Sequence, residues 1–317
     1  MDHLLFRAFR KILRKNPNTN RFVDFVGQQA NDYISKCFDD NSEAFMISKF
    51  GTIELDNIIC YEVNKRGINL FDYRNALSGR YSIHMSDAFD KLCNNAGFFP
   101  KNIRLLDKYN QLVRQDIKEI NILGSYLNAE EFINDDLSSS CVKVDLDGYY
   151  APFLWKNPWT KYLKGKKVLV VHPFVESIKS QYERRELLFD NPDVLPEFSA
   201  LYLIKAVQSI AGNGINTGFK DWFEALDYMK NEMDKYDYDV ALIGCGAYGM
   251  DLAAHAKRSG KIAVHMAGWT QMLFGIYGKR WLEDQPQYSK FINKYWIRPN
   301  ENERPSGIEK VEGGCYW

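Results

Sequence analysis

Short apolar runs separated by helical stretches shape the second half of the chain. The runs at 168–171, 240–243 and 261–266 are rich in β-branched residues, and the segments 219–235 and 250–259 read as helices. This alternation is typical of a Rossmann-like, doubly wound and mostly parallel α/β sheet with helices on both faces. Ligands of such sheets bind beyond the carboxyl ends of the strands, so we expect the chemistry in the turns that follow these runs.

The first half of the chain is less regular. Its pattern predicts a helix over 22–38, a strand over 44–48 and a helix from Glu54 to about residue 64. Residues 69–124 are predicted to be mostly helical and to end in a short strand at 120–124. The first half is therefore expected to be an α/β unit with a helical insertion.

Three further segments are read less directly. Residues 138–144 form a boundary, 176–189 are predicted to be one helix, and 201–210 fit either a strand or a short helix. The aromatic stretch 149–159, which contains two prolines, is the predicted connection between the halves.

Four parts are expected along the chain. They are a basic amphipathic helix at 1–20, an α/β half at 21–150, a Rossmann-like half at 151–300 and a tail at 301–317. Because the tail ends in Tyr316 and Trp317, we expect it to pack back on the body of the protein.

The first helix has two chemically different faces. Leu5, Phe6, Phe9, Ile12 and Leu13 share one face of the helical wheel, and Arg7, Arg10, Lys11, Arg14 and Lys15 share the other. Residues 3–15 could therefore lie in an anionic membrane surface. The alternative is a helix that packs on its own domain or on a second subunit.

Composition narrows the classes of function. Of 317 residues, 41 are Lys or Arg and 41 are Asp or Glu, so the formal net charge is zero and gives no support for nucleic-acid binding. The six cysteines lack zinc-ligand spacing and are expected to be reduced thiols. With no secretory signal in the sequence, we expect a cytoplasmic protein, with the inner face of the plasma membrane as the peripheral alternative.

The glycine-rich turn after the run 240–243 is the first candidate site. Gly244, Gly246 and Gly249 have the spacing of the dinucleotide-binding fingerprint. A nicotinamide cofactor also needs an acidic residue after the next strand, and none is present at 264–267. The turn is thus expected to place backbone N–H groups near a phosphate or ribose, or to be a tight turn that binds nothing.

A second candidate lies in the segment from Lys49 to Glu54, after the strand at 44–48. Thr52 is the predicted N-cap of the next helix, which places Glu54 in the first helical turn. The helix dipole alone favours an acid there. The functional reading is that Glu54 holds Mg²⁺ or Mn²⁺ against a diphosphate, while Gly51 lets the ligand approach the backbone.

Basic and titratable side chains supply the remaining candidates. His172 ends the run 168–171 and is either an acid–base group or a buried histidine, and His265 is a weaker candidate of the same kind. Arg280, with Lys279, either neutralises a diphosphate leaving group or ends a helix.

Several of these motifs together resemble the GT-D-type glycosyltransferases of bacterial surface-polysaccharide loci. The segment Lys49-Phe50-Gly51-Thr52-Ile53-Glu54 is similar to the Arg-Phe-Gly-Asp-x-Glu motif of that family. The later motifs follow in the family's order, namely His172-Pro173-Phe174, Gly244-Cys245-Gly246, Gly268-Trp269-Thr270-Gln271, Arg280-Trp281 and Glu312-Gly313-Gly314-Cys315-Tyr316-Trp317. The resemblance covers roughly residues 40–317 and implies the GT-D fold.

The resemblance implies that a sugar moves from a nucleotide-diphosphate donor to a glycan or lipid-linked glycan acceptor. Its implied donor-binding residues are Lys49, Phe50, Gly51, Thr52, Gly244, Gly246, Gly268, Thr270, Gln271 and Arg280. Glu54 is the implied metal ligand and catalytic residue, with His172 as a candidate base. Thr52 stands where the family has aspartate, so charge stabilisation by Lys49, Lys279 or Arg280 is the alternative to Mg²⁺ or Mn²⁺.

Two rival functions remain open at this point. The Gly244 turn also fits a methyltransferase that uses S-adenosylmethionine, although such an enzyme should place an acid after the following strand. Thr52 in the aspartate position also fits a nucleotide-sugar-binding protein that has no catalytic activity.

Overall fold

The computed structural model describes residues 23–40 and 43–317. The basic amphipathic helix predicted at 1–20, with its proposed membrane contact through 3–15, lies outside the described residues. Among the described residues, no helix combines the length and the apolar character that crossing a bilayer requires.

The described residues alternate between short strands and helices. The strands are β1 Met46–Ser48, β2 Ile122–Gly124, β3 Val142–Val144, β4 Lys167–His172, β5 Ala200–Lys205, β6 Val240–Ile243 and β7 Ile262–His265. The α-helices are α1 Gly27–Asp40, α2 Thr52–Arg66, α3 Leu70–Leu77, α4 Met85–Asn95, α5 Leu106–Ile117, α6 Leu146–Tyr150, α7 Val175–Tyr182, α8 Trp222–Met233, α9 Gly249–Arg258 and α10 Trp269–Leu273. After α10 the chain consists of one short π-helix, Arg280–Asp284, and short 3₁₀ segments joined by irregular stretches.

All seven strands form one parallel sheet in the order β3-β2-β1-β7-β6-β4-β5. The predicted α/β sheet is therefore confirmed. Strands from the two halves of the chain meet at its centre, where β1 pairs with β7 and Ile47 lies opposite Val264. Because all strands run the same way, their carboxyl ends share one edge, and the turns after β1, β4, β6 and β7 converge there.

The apolar runs are continuous because the sheet is covered on both faces. In β4, Leu169 and Val171 point into one core, while Val168 and Val170 point into the other. The first core is covered by α2, α4, α5, α8 and α9, and the second by α1, α6, α7 and α10. Fully burying one such side chain contributes about 1.5–3 kcal/mol, so the strands hold both helical layers in place.

Several predicted boundaries change in the structure. The predicted helix 176–189 ends at Tyr182, whose ring stacks on Phe198 at 4.7 Å and whose hydroxyl accepts a hydrogen bond from the Phe198 N–H at 2.6 Å. This tertiary contact overrides helix periodicity. The undecided segment 201–210 contains a strand, β5, because it pairs with β4 along its whole length.

The last residues of the chain lie against the body. The Trp317 ring contacts that of Phe174 edge to face, with 4.9 Å between the centroids, and Ile308 and Val311 complete a small apolar cluster there. Phe174 lies two residues after the end of β4, so this tail reaches the carboxyl edge of the sheet.

Candidate active site

A cleft of about 230 Å³ opens at the carboxyl edge of the sheet. Eleven of the candidate site residues named in the sequence line it, namely Lys49, Gly51, Thr52, Glu54, His172, Gly244, Gly246, His265, Gly268, Gln271 and Arg280. They come from segments that are more than two hundred positions apart in the chain. The parallel topology brings them together, because each segment follows the end of a strand or packs on one that does.

Two of the singled-out residues lie behind the cleft. The Phe50 side chain is 1% exposed and belongs to the core under α2. Thr270 is fully buried, and its hydroxyl has no hydrogen-bond partner among the described residues. Neither side chain lines the cleft, so both support its wall rather than its interior.

Glu54 lies over the N-terminus of α2. A Cβ at Gly51 would lie 1.8 Å from an Oε atom of Glu54, so the carboxylate folds over the bare glycine backbone. The helix dipole favours a negative charge at this end. Gly51 is the N-cap and Thr52 begins the helix without a side-chain cap, so the prediction of Thr52 as N-cap was wrong.

Thr52 instead contacts Tyr126, which follows β2. The two hydroxyl oxygens are 3.2 Å apart, and the Tyr126 hydroxyl donates to the Phe50 carbonyl at 2.9 Å. The Lys49 ammonium lies over the Tyr126 ring, 5.7 Å from its centroid. Buried Glu130 anchors this loop by accepting the Tyr126 N–H at 3.0 Å. Tyr126 is thus a cleft residue that the motif search missed, although its place after the strand predicted at 120–124 was a usable signal.

His172 has a defined tautomer. The Phe174 N–H donates to its Nδ1 at 3.0 Å, so in the neutral ring the proton must be on Nε2. Burial lowers the pKa of His172 to about 3, which keeps the ring neutral at physiological pH. With Nδ1 occupied and Nε2 protonated, His172 can donate a hydrogen bond to a ligand in the cleft but has no free lone pair with which to act as a base.

His265 ends β7 and lines the cleft from below. Its Nδ1 is 3.0 Å from the hydroxyl oxygen of Ser48, at the end of β1, and its Nε2 has no hydrogen-bond partner among the described residues. Burial, with a smaller contribution from Lys49, lowers the pKa of His265 to about 3. This ring is also neutral.

Neighbouring backbone approaches Gly244 so closely that a side chain would not fit there. A Cβ there would lie 2.3 Å from the Ala267 carbonyl oxygen and 2.8 Å from Cδ2 of His172. The turn after β6 therefore touches both the turn after β7 and the imidazole at the end of β4. Gly246 has φ +60°, a left-handed conformation that glycine adopts without strain.

Arg280 is held by the tail of the chain. Its Nη1 donates to the Tyr316 hydroxyl at 2.7 Å, its guanidinium lies 4.3 Å from the Tyr316 ring centroid, and its Nη2 contacts the Glu312 carboxylate. Burial opposes the charge, but Tyr316, Cys315 and Glu312 outweigh it and raise the pKa of Arg280. Arg280 is therefore a permanent cation in the cleft wall, already matched by one carboxylate.

The turn before α10 and its first residues fix the same tail. A Cβ at Gly268 would lie 2.1 Å from the Tyr316 ring, so glycine makes room for that ring. The Gln271 amide donates to the Tyr316 carbonyl at 3.2 Å, which means that Gln271 lines the cleft while holding its wall. Sequence reasoning placed Glu312 and Tyr316 only in a family motif and did not assign them to the site.

Few side chains in the cleft could coordinate a divalent cation. Of the described residues that line the cleft, Glu54 and Glu312 carry carboxylates, and Glu312 is engaged by Arg280. No group of three or more His, Cys, Asp or Glu side chains suited to a metal ion occurs in the described part of the chain. These residues do not by themselves fit a resident Mg²⁺ or Mn²⁺ ion, because hard cations need several oxygen ligands.

Comparison with protein-family models, with curated proteins and with solved structures finds no match for this chain. The GT-D resemblance therefore stays a prediction carried by the motifs, and the function has to be argued from the cleft.

Proposed function

We propose that the protein is a glycosyltransferase that binds a nucleotide-diphosphate sugar in the cleft at the carboxyl edge of its sheet. The observation that carries this proposal is the convergence of the motif residues on that cleft. A cleft lined by cations, backbone turns and one unengaged carboxylate suits a diphosphate with an attached sugar.

In this proposal, the positively charged side chains of the cleft stabilise the leaving group. When the bond between the sugar and the diphosphate breaks, negative charge develops on the nucleotide diphosphate, and fixed cations stabilise it. Lys49 and Arg280 are cations that line the cleft, and neutral His172 adds an Nε2–H donor. We derive no step through a metal ion, because the carboxylates present do not fit one.

Glu54 is the best candidate for the base. The acceptor hydroxyl must lose a proton as it attacks the sugar, and a carboxylate within reach can take it. Glu54 lines the cleft, accepts no hydrogen bond that would occupy it among the described contacts, and lies over a helix N-terminus that favours its charged form. His172 cannot take this role because its Nδ1 already accepts a hydrogen bond.

The acceptor and the location belong to the same proposal. A glycan or a lipid-linked glycan of bacterial polysaccharide synthesis fits the family resemblance. Peripheral attachment to an anionic membrane on the cytoplasmic side would come from residues 3–15, which lie outside the described residues.

The decisive experiment combines binding and turnover. Thermal shift with UDP-, GDP- and CMP-sugars, each with and without Mn²⁺, identifies the donor, and release of the nucleotide diphosphate measures turnover. We expect Glu54→Gln to keep donor binding within severalfold and to lower turnover by about 10²-fold or more, the usual range for a lost base. Glu62→Gln, in the same helix but outside the cleft, is the matched control and should keep full turnover.

Other outcomes would redirect the assignment. Full turnover of the Glu54→Gln variant would remove Glu54 from the chemistry. Binding of a sugar nucleotide without any turnover of wild-type protein would favour the non-catalytic binder. Stabilisation by S-adenosylmethionine alone would favour the methyltransferase, although β7 ends in His265 and is followed by Met266 and Ala267 rather than by an acid.

A further inference from the structure

A second, much smaller cavity lies directly behind the cleft. Its volume is about 20 Å³, and its walls come from α2, α5, the start of α9 and the end of β7. The polar side chains that line it are those of Lys49, Glu54, Tyr109, Asp251 and His265. A cavity of roughly 10–15 Å³ or more holds one water molecule when polar partners converge on it.

Asp251 forms one wall and lacks an ordinary partner. It is fully buried in the first turn of α9. No other described residue donates a hydrogen bond to either of its carboxyl oxygens. Its neighbour is a second buried carboxyl group, Asp116 of α5. Two adjacent carboxyl groups away from water share a proton unless cations match both.

Among the described residues, a salt bridge is formed by only one of that pair, Asp116. Arg258 is 2.6 Å from Asp116, and it also contacts Glu119, which Lys257 contacts at 3.2 Å. Arg258 and Lys257 are therefore balanced by Asp116 and Glu119, and Asp251 is left to keep its proton. Asp116 is the neighbouring carboxyl group that can accept this proton in a hydrogen bond, which would leave the other oxygen of Asp251 as an acceptor.

His265 forms the opposite wall. Its Nε2 is buried without a partner, and a Cβ at Gly249, two residues before Asp251, would lie 2.2 Å from that atom. On the other side of the ring, Nδ1 lies 3.0 Å from the Ser48 hydroxyl oxygen. The simplest assignment that satisfies both groups has Ser48 donating to Nδ1, which leaves the proton on Nε2.

We propose that this cavity is a binding site for a single water molecule that accepts a hydrogen bond from Nε2–H of His265 and donates one to the free oxygen of Asp251. Its second hydrogen has the Glu54 carboxylate as an acceptor in the same wall. The water thus completes a buried polar chain that runs from Arg258 through Asp116 and Asp251 to His265 and Ser48.

This chain of buried polar groups gives Asp251 a positioning role. It fixes the tautomer and orientation of His265, and through Ser48 it ties the end of β1 to the end of β7. None of this depends on which reaction the cleft performs, so the water site stands even if the proposed glycosyl transfer fails.

Wild-type protein supplies the first test. A crystal structure at high resolution should show density for one water between Asp251 and His265. Nitrogen NMR should show His265 with a protonated, pyrrole-like Nε2 and a pyridine-like Nδ1, which is practical because the chain has five histidines. A dry cavity, or a His265 proton on Nδ1, would overturn the proposal.

Two variants of Asp251 sharpen the result. Asp251→Asn keeps an acceptor for the water and a donor for Asp116, so the His265 signals should stay pyrrole-like at Nε2. Asp251→Leu removes the acceptor and fills the cavity, so the same signals should shift. Unchanged His265 signals in a folded Asp251→Leu protein would contradict the water link, and if that variant does not fold the wild-type measurements still decide.

The stability of these proteins gives an independent readout. Burial and the neighbouring Asp116 raise the pKa of Asp251 well above its ordinary value, so the folded state holds the proton more tightly than the unfolded state does. The titratable and charged groups around Asp251 are Asp116 and Tyr109 from α5, Glu54 from α2, Lys230 from α8, His265 from β7, and Lys49 and Cys245 from the turns after β1 and β6, with Arg258 of its own helix on Asp116. The contribution of Asp251 to stability should therefore fall as pH rises above about 3.9, the unfolded value. Asp251→Asn should lack this contribution and gain stability relative to wild type toward neutral pH.

Discussion

The two buried histidines of the cleft are alike in charge and different in what they offer a ligand. His172 has Nδ1 occupied by a backbone N–H, which makes Nε2–H its free donor. His265 uses Nδ1 toward Ser48, and its buried Nε2 lies against Gly249 and has no hydrogen-bond partner among the described residues. For the glycosyl transfer proposed above, a base must therefore be sought among the carboxylates, and Glu54 is the one in the cleft that forms no salt bridge with a described residue.

Burial of these rings predicts a specific pH dependence. The pKa values of His172 and His265 are lowered to about 3, so between about pH 6.5 and 3 the unfolded chain takes up protons that the folded protein refuses. The contribution of the two rings to stability should fall as pH falls through this window, by about 1.4 kcal/mol per pH unit for each ring.

Urea unfolding at a series of pH values measures this effect. In a plot of unfolding free energy against pH, His172→Gln and His265→Gln should each lower the wild-type slope by the equivalent of one proton. The double variant should lower it by two. Parallel slopes for wild type and both variants would show that the rings are not held neutral by the fold.

At the scale of elements, the site depends on turns that approach each other more closely than side chains allow. The turn after β6 meets the turn after β7 at Gly244, and the tail meets the turn before α10 at Gly268. Glycine in these places is a packing requirement of the cleft.

Substitution of Gly244 should be costly. In Gly244→Ala the new Cβ would lie 2.3 Å from the Ala267 carbonyl oxygen, which is backbone and cannot move without displacing the turn. Overpacking of this kind costs about 1–3 kcal/mol. The midpoint and slope of chemical unfolding measure the loss.

Gly165→Ala is a suitable comparison. Gly165 has φ +72° but no neighbour within 4 Å of a Cβ, so the change costs only the left-handed strain of about 1 kcal/mol. Donor binding should weaken in Gly244→Ala and stay at the wild-type value in Gly165→Ala. Equal behaviour of the two variants would refute the packing explanation.

The contact between Arg280 and Glu312 sets up a competition in the cleft. A diphosphate that approaches Arg280 must share the guanidinium with a carboxylate that is already in place. The partly exposed ion pair between Arg280 and Glu312 is worth about 1 kcal/mol. Because Glu312→Gln removes it, we expect this variant to bind inorganic pyrophosphate about fivefold more tightly than wild type. Calorimetric titration at low and high salt measures this, and the gain should shrink with salt.

Glu309→Gln is the matched control for this prediction. Glu309 is exposed in the same tail and does not line the cleft, so its loss changes net charge without freeing Arg280. If both variants bound pyrophosphate equally tightly, general charge and not the Arg280 contact would explain the gain.

Elements and site residues differ in how far the sequence predicts them. The strands β4, β6 and β7 can be predicted from the sequence, because both of their faces are buried and each therefore contains a continuous apolar run. The three-residue strand β3 escapes notice because two of its residues are only half-buried. Residues such as Tyr126 and Glu312 enter the cleft through long-range packing, which no local pattern encodes.

At the scale of the whole molecule, the cleft is assembled from both halves of the chain on one sheet. Strands β1, β2 and β3 come from the first half and the other four from the second, yet they form one continuous ladder. The cleft can form only when both sets of strands are in register, since Lys49 to Glu54 and the glycine turns stand on opposite sides of that join.

The pairing of β1 with β7 also bears on how the protein folds. Ile47 and Val264 are more than two hundred positions apart, and closing so long a loop costs chain entropy before any contact is gained. Such non-local pairing slows folding. After dilution from denaturant, helical ellipticity should therefore return well before the capacity to bind a nucleotide sugar. Simultaneous recovery of the two signals in stopped-flow experiments would mean that the central seam of the sheet closes early.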